Sequence, residues 1–531
     1  MKKTKKKLAG VPMHDGYRYI PAAVTLDQYN ISIYIRYRKS KYPNDIIIKQ
    51  RTLSYTWLIC PDRELVIVGH SFMDTAFHPN DFDECIHFDM FNQEHVHQLG
   101  LNYVMNNFYH DSNDRSAAES RAKGNMYPHR DDRRVTVVGD SGGFQYVSGQ
   151  AEYVNPKELG QWYAKNVDAG MQLDIPLTIT LPKKEFKQFA QLQNRTTDMI
   201  LANTSSHVEL FNVIHGKSLD QRKLYREIVE SKHGNMNRMA LGGMRSHGPL
   251  GMADILTDIC YSGKRYGQYH LLGLTSSVVF PVLIAMSSMG DNPPHITSDS
   301  ASHKLAAKSR NLYRQYEMGK LRAFDIGEKI YSIPGIKNRS FNGFTNRELD
   351  CTCPVCSALK YADILTLLTG QHIVTLTSIH NMYETSKYVK LVREIFENES
   401  YEDYVQFIKS SHATNRSTDS KDLVQALDFL LEFHEKGIDK ARAKHRANIA
   451  RSADLYSSSE QTDAIYSTGN NSVKADEFAE EDLPVVTDKA AEYDRLMGLY
   501  NKSKENLALL EKGKTVKNSG NKKAAGAVAG W

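Results

Sequence analysis

The sequence holds no run of the ~20 apolar residues that a helix needs to span a bilayer, so nothing in it predicts a membrane span. Its six cysteines are not spread as a disulfide framework, which argues against a small secreted, disulfide-braced class. The early strand-to-helix turns lack both the G-x-G-x-x-G pattern of dinucleotide sites and the G-x-x-x-x-G-K-[ST] pattern of P-loops. That weighs against a nucleotide cofactor. The basic start "MKKTKKKLAG" is not followed by an apolar stretch of signal-peptide length, so the chain is expected to be soluble and intracellular, in the cytoplasm. Strong net charge is also missing: +5 over 531 residues permits a polyanionic partner without demanding one.

What is present is a repeating rhythm. Hydrophobic residues make up 41% of the chain, enough for a large core. From residue 61 to about 300, short apolar runs alternate with helical patterns. The runs are "ELVIVGHS" (64–71), "RVTVVGDS" (134–141), "GMQLDIPL" (170–177), "ELFNVIHG" (209–216), "RMALGGM" (238–244), "YHLLGL" (269–274) and "HITSDS" (295–300). Their length and β-branched content predict buried strands, and the stretch 183–203 predicts a helix with Phe186, Phe189, Leu192 and Ile200 near one face. Such alternation predicts an α/β fold, a (β/α)8 TIM barrel, with an open doubly wound sheet as the alternative. Asp140, Asp174, His215, Gly242, Gly243 and Asp299 all fall at the C-terminal ends of the runs, which in either architecture form the ligand-binding side.

The expected organisation is an N-terminal extension (1–60), a barrel (61–400) carrying a cysteine-rich subdomain at about 341–395, a helical extension (401–452), and a polar linker, further helix and tail (453–531). Within the extension, "KDLVQALDFLLEFHEKG" predicts an amphipathic helix in 419–452 with Leu423, Leu427, Leu430 and Leu431 on its apolar face.

"DCTCPVCS" places Cys351, Cys353 and Cys356 in one C-x-C-x2-C turn, and His380 follows 24 residues after the last of them. Three thiolates and an imidazole suit a closed tetrahedral Zn²⁺ site of structural type, with His372 as a competing fourth ligand.

The string "GDSGGF" poses a separate question, because Gly-Asp-Ser-Gly-Gly surrounds the nucleophilic serine of trypsin-like proteases. Here Phe144 follows where those enzymes carry proline, no matching histidine segment lies upstream, and the α/β rhythm is wrong for a β-barrel protease. Asp140, rather than Ser141, becomes the residue of interest.

Taken in order, "DSGGFQ" (140–145), "LDIP" (173–176), "LGG" (241–243), "LLGL" (271–274), "SDSAS" (298–302) and the C-x-C-x2-C cluster followed by His-Asn resemble the tRNA-guanine transglycosylase superfamily over roughly residues 61–395. The resemblance implies a zinc-containing barrel that exchanges guanine for a 7-deazaguanine such as 7-cyano-7-deazaguanine. It assigns Asp299 as nucleophile and Asp140 as general acid/base, with Asp291 close to Asp299 in sequence. It assigns Asp174 to the base edge, Ser141 and Gln145 to substrate binding, Phe144 and Leu272 to a stacking slot, and Gly242, Gly243 and Met244 to close backbone approach; His215, a departure from the family pattern, is a candidate to hydrogen-bond the base or its 7-substituent, with a satisfied loop histidine as the alternative. It also implies a nucleic-acid partner and leaves a homodimer or accessory proteins open, a non-catalytic accessory subunit being a further reading. His215 stands in "VIHG" where the family usually has Gln before Gly, and helical patterns after residue 400 stand where archaeal tRNA enzymes carry a compact β-rich module. These departures resemble the branch that modifies DNA, with tRNA as the alternative. Lys183, Lys184, Lys187, Lys304, Lys308 and Arg310 are candidate phosphate contacts, and His303 is a candidate neighbour of the sugar.

Overall fold

The computed structural model describes residues 17–23, 31–37, 47–51, 55–60, 62–69, 81–88, 103–107, 136–143, 154–175, 181–290, 292–308, 311–315, 321–325, 351–359, 371–412 and 418–457. The expected polar linker and tail beyond 457, together with Phe144, Gln145, Asp291 and Arg310, lie outside these residues.

β1 (Tyr17–Ala23) opens the chain's regular structure. An antiparallel excursion follows: β2 (Ile31–Tyr37), β3 (Ile47–Arg51), β4 (Tyr55–Ile59), β5 (Arg63–Gly69) and β6 (Glu84–Phe88), ordered β3-β4-β5-β2-β6 in their sheet. The chain then returns through β7 (Tyr103–Asn107), β8 (Thr136–Asp140), β9 (Ala169–Met171), β10 (Glu209–Ile214), β11 (Arg238–Leu241), β12 (Gln268–Leu271) and β13 (Ile296–Ser300). These seven and β1 form a closed barrel of parallel strands, β1 completing the ring between β13 and β7. The barrel expectation holds, with two differences in how the chain builds it.

The first barrel strand comes from residues 17–23, inside the stretch read as an extension. Pro21 hides it, because proline within an apolar run argues against a central strand. Conversely, the run at 64–71 is not a barrel strand; it is β5 of the antiparallel sheet. It reads as a two-faced buried strand because it is one. Leu65 and Ile67 join the main core, while Val66 and Val68 are covered on the other face by Tyr34, Trp57 and Phe82.

Alternation along the barrel strands sorts inside from outside. Ile20, Val138, Ala169, Met171, Phe211, Val213 and Ala240 pack together as the barrel's inner core, with Leu272 against them. Two residues further along the same faces come Asp140, His215 and Gly242; His270 is level with Ala240 and Thr297, one layer below Gly242, and Asp299 stands two residues beyond Thr297. The outward face of β8 and β9 is made of glycine for a reason of space. Gly139 and Gly170 are paired in register, and the Tyr163 ring of α1 (Pro156–Asn166) lies on both. A Cβ at either glycine would sit 2.5–2.6 Å from that ring.

The helices of the wall include α2 (Lys183–Leu201), α3 (Leu219–His233) and α4 (Gly248–Tyr261). Ser218 caps α3, its hydroxyl accepting from Gln221 N at 3.2 Å. After the short helices α5 (Phe280–Met286) and α6 (Ser302–Lys308) come the hairpin β14–β15 (Asn311–Gln315 and Leu321–Asp325), the turn helix α7 (Pro354–Ala358) and the long α8 (Gln371–Asn398).

The C-terminal extension is α9 (Tyr401–His412), α10 (Thr418–Lys436) and α11 (Ile438–Ser457). The amphipathic helix expected within 419–452 is α10, which ends just before Gly437, whose φ of +86° only glycine adopts readily, and α11 follows it. The extension is tied to the barrel wall. Asp422 of α10 accepts from Leu250 N at the start of α4 at 3.0 Å, and Arg442 of α11 bonds Asp254 at 2.6 Å and Asp258 at 2.9 Å. Among the described residues no helix is long and apolar enough to cross a membrane.

Candidate active site

Asp140 and Asp299 end β8 and β13, so both carboxylates stand at the C-terminal mouth of one barrel. Asp140 is half-buried, and its Oδ1 lies 3.5 Å from Gly142 N, inside the turn that follows the strand. Asp299 is 7% exposed. Its Oδ1 accepts from Gly273 N at 2.8 Å and meets His270 Nε2 at 3.1 Å.

Ser141 has its hydroxyl engaged with backbone. It is buried, and its Oγ accepts from Asp174 N at 2.9 Å and Gly143 N at 3.4 Å. The hydroxyl thereby fastens the loop after β9 to the loop after β8. Gly143 makes that fastening possible, since a Cβ there would lie 1.7 Å from the Asp174 carbonyl oxygen. The apparent protease signature therefore joins the loop that follows Asp140 to the backbone at Asp174.

Asp174 Oδ1 is 3.1 Å from His215 Nε2. The His215 ring is held edge-on by Phe189 at 6.0 Å and Tyr225 at 5.6 Å between centroids. Gly242 leaves room for this pair, because a Cβ would come 2.8 Å from His215 Cε1 and 3.2 Å from Asp174 Oδ1. Gly242 N bonds the Ile214 carbonyl, and its own carbonyl accepts from Arg222 Nη2 at 2.9 Å. Of the three residues expected at close backbone approach, Gly243 is the exposed one, with φ of +67°, whereas the Met244 side chain is buried in the outer core. Leu272 packs on the inner core at the mouth, on the same face as His270.

Arg222 was missed by sequence reasoning. It is fully buried, and its guanidinium ties the carbonyls of Ile214 and Gly242, which end the two strands that carry His215 and the glycine loop. Burial lowers its pKa to about 9, which leaves it cationic at neutral pH. The signal was the α3 pattern Arg222, Tyr225, Arg226, Val229 and His233, whose spacing marks an inward face. His270 was also missed. It sits in a strand read as apolar, but its parity with Leu272 put it inside.

Two expectations about polar residues near Asp299 are corrected. His303 is fully buried, with Nδ1 2.9 Å from Tyr19 Oη, and burial pushes its pKa down to about 3. It belongs to the outer core and not to a sugar site. Lys304 is buried as well, so it cannot lie along a surface phosphate path. Lys183, Lys184, Lys187 and Lys308 are exposed.

The metal centre assembles as expected. Ligand atoms of Cys351, Cys353, Cys356 and His380 all lie within 4.8 Å of one another. The three Sγ atoms are 3.5, 3.6 and 3.2 Å from His380 Nδ1. Tetrahedral zinc with ordinary Zn–S and Zn–N bonds sets these edges at about 3.5 Å. His380 Nε2 donates to the Tyr313 carbonyl at 2.8 Å, which leaves Nδ1 as the lone-pair side facing the thiols. The residues therefore fit Zn²⁺. Four protein donors close the shell, so the ion would supply structure. His372 is not among the clustered ligands.

The family described as queuine tRNA-ribosyltransferase matches residues 87–414. No curated protein matches the chain.

Proposed function

Because the chain belongs to the queuine tRNA-ribosyltransferase family, we propose that it exchanges guanine in DNA for a 7-deazaguanine, such as 7-cyano-7-deazaguanine, through a covalent aspartyl–sugar intermediate. Family membership itself supports guanine transglycosylase activity, that is, pentosyl transfer on a nucleic acid with a guanine base as reactant. The observation that carries the mechanistic reading is the sharing of one barrel mouth by Asp140 and Asp299.

The chemistry follows from two carboxyl groups around an anomeric carbon. An Asp299 oxygen attacks C1′ as the C1′–N9 bond breaks, and the departing guanine takes a proton from the Asp140 carboxyl. A 7-deazaguanine then enters the vacated slot and gives its N9 proton to the Asp140 carboxylate. Its N9 attacks C1′, the sugar–aspartate ester breaks, and Asp299 leaves as a carboxylate. No water is consumed, and each base gains or loses one proton. Asp174 and His215 bind the base edge, with Leu272 against its face. Phe144 and Gln145 are retained in the roles the resemblance gives them.

DNA is favoured over tRNA by two features of this chain. His215 occupies the position where the family usually has glutamine. The described residues after 400 form helices bonded to the barrel wall, where the archaeal tRNA enzymes it resembles carry a β-rich module. Lys183 and Lys184 open α2 just after the Asp174 loop, and cations in a first turn oppose the helix dipole. They do nothing for the helix and suit a phosphate backbone at the mouth. Duplex DNA requires the guanine to be flipped out, at a cost of a few kcal/mol that such contacts offset. The tRNA reading is favoured by the matched family's own description. Nucleoside mass spectrometry of DNA and tRNA from cells with and without the gene decides between them. Deazaguanine that disappears from tRNA alone overturns the DNA reading.

A further inference from the structure

We propose that His270 is the positioning residue of Asp299, held in its role by a one-way chain of hydrogen-bond donors that climbs the barrel interior. The proposal rests on the reading of Asp299 as nucleophile. Its observations are independent of that reading: the His270 ring is fully buried, with Nε2 3.1 Å from Asp299 Oδ1 and Nδ1 2.9 Å from Thr297 Oγ1. Thr297 Oγ1 in turn is 3.1 Å from Gln268 Nε2, and Gln268 Oε1 is bonded by the Arg238 guanidinium, which also bonds Glu209.

The direction of donation follows from chemistry. An amide nitrogen only donates, so Thr297 Oγ1 accepts from Gln268. The single hydroxyl proton then has two acceptors to choose from, His270 Nδ1 at 2.9 Å and the Tyr269 carbonyl at 3.3 Å, and the nearer takes it. Nδ1 is thereby the acceptor side of the ring and Nε2 carries the hydrogen, pointed at the carboxylate. Every link from Arg238 to Asp299 donates in the same sense. Such chains polarise one another in a low-dielectric interior. Phe211, whose ring meets the imidazole at 5.8 Å between centroids, blocks the ring from swinging.

The consequence for the reaction is orientation. Two donors, His270 Nε2 and Gly273 N, converge on Asp299 Oδ1. Oδ2 is then the oxygen presented to C1′. The same donors stabilise the carboxylate when it is released in the second half of the exchange, where charge develops on Oδ1.

The test uses the full chain, radiolabelled guanine, and both a guanine-containing DNA duplex and tRNA as acceptors. His270→Phe keeps ring volume without the donor, His270→Gln returns an amide N–H near the Nε2 position, and Thr297→Val removes the hydroxyl at nearly constant volume. Expected is a fall in kcat of about 10²-fold for His270→Phe, with KM for guanine nearly unchanged. His270→Gln is expected to recover about 10-fold of that loss, and Thr297→Val to show a smaller fall in kcat. Nitrogen-15 spectra of the histidine rings are expected to show the Nε2–H tautomer for His270 in the parent protein and a changed signal in Thr297→Val. Should His270→Phe fail to fold, the glutamine and valine variants still decide. A wild-type kcat in both, or a rise in KM with kcat intact, overturns the proposal. Asp299→Ala separates the two readings. If it exchanges guanine normally, the nucleophile assignment falls and this inference with it. If it is inactive while the His270 and Thr297 variants match the parent, the inference alone falls.

Discussion

The side-chain amide of Asn381 donates to the backbone carbonyl of His303 at 3.1 Å, joining the metal-binding helix to the segment just beyond Asp299. The same amide reaches the Asn311 carbonyl at 3.0 Å, and its oxygen accepts from Tyr313 N at 2.7 Å. Asn381 follows the ligand His380 directly, so the metal-binding helix is linked through one side chain to α6, the helix that follows β13. This link braces α6, just after the strand that carries Asp299, against the metal-binding helix.

That brace predicts the effect of metal removal. Cys353→Ser should lose zinc, measured as metal content per chain, and should unfold at lower temperature, because a structural site contributes folding free energy directly. Asn381→Ala should keep its zinc yet be destabilised by about 1–3 kcal/mol, since it strands buried backbone groups. A zinc-free Cys353→Ser protein with unchanged thermal stability would refute the structural role.

The two carboxylates should separate kinetically. Asp299→Ala should form no covalent complex with the nucleic acid and show no exchange. Asp140→Asn should lose about 10²–10⁴-fold in rate, the usual worth of a positioned acid/base, while covalent attachment remains detectable at long times. Trapping with substrate followed by denaturing electrophoresis reads both. Equal trapping by parent and Asp299→Ala proteins would end the nucleophile assignment.

Much of this site was legible in the sequence because a barrel puts its chemistry at strand ends, where apolar runs give way to polar residues. Asp140, Asp174, His215 and Asp299 all announce themselves that way. The three cysteine ligands were legible from spacing, while the fourth was open between His380 and His372 until the fold brought His380 to the thiols. Other features were hidden for physical reasons. β1 is broken by Pro21 and rich in tyrosine, so no period shows. β5 is buried on both faces and imitates a parallel strand. His270 and Arg222 act from inside the fold, and their partners are up to 29 residues away in sequence or are backbone carbonyls. No local pattern reports such pairings.

Gly242→Ala should act on the base site without unfolding the protein. The new Cβ would press on His215 Cε1 at 2.8 Å and on Asp174 Oδ1 at 3.2 Å, both side-chain atoms. The expected result is a rise of about 10-fold in KM for the base, the worth of roughly 1.4 kcal/mol, with kcat less affected. Gly143→Ala is the contrasting case, because its Cβ meets the Asp174 backbone oxygen at 1.7 Å. That contact cannot be relieved by a side-chain rotation, so the variant should be poorly folded. Steady-state kinetics and a denaturation curve on each variant distinguish the outcomes. Equal stability of the two would show that the loops are not packed as described.

His247 makes stability depend on pH in a defined direction. It is 8% exposed, and burial, reinforced by the charge of Arg222, holds its pKa down to about 3. The folded protein therefore keeps this imidazole neutral where the unfolded chain, with a pKa near 6.5, protonates it. Below about pH 6.5 the unfolded state binds the extra proton, so stability falls as pH falls, by at most ~1.4 kcal/mol per pH unit from this group, until about pH 3. Above pH 6.5 the effect is absent. His247→Gln removes the titrating group, so the variant should lose less stability than the parent between pH 7 and pH 5. Urea midpoints of both proteins at each pH measure this, and any zinc released by acid affects the two alike. Parallel pH profiles for parent and variant would mean that His247 is protonated in the folded state, and the packing of Arg222 beneath the glycine loop would then need a different electrostatic account.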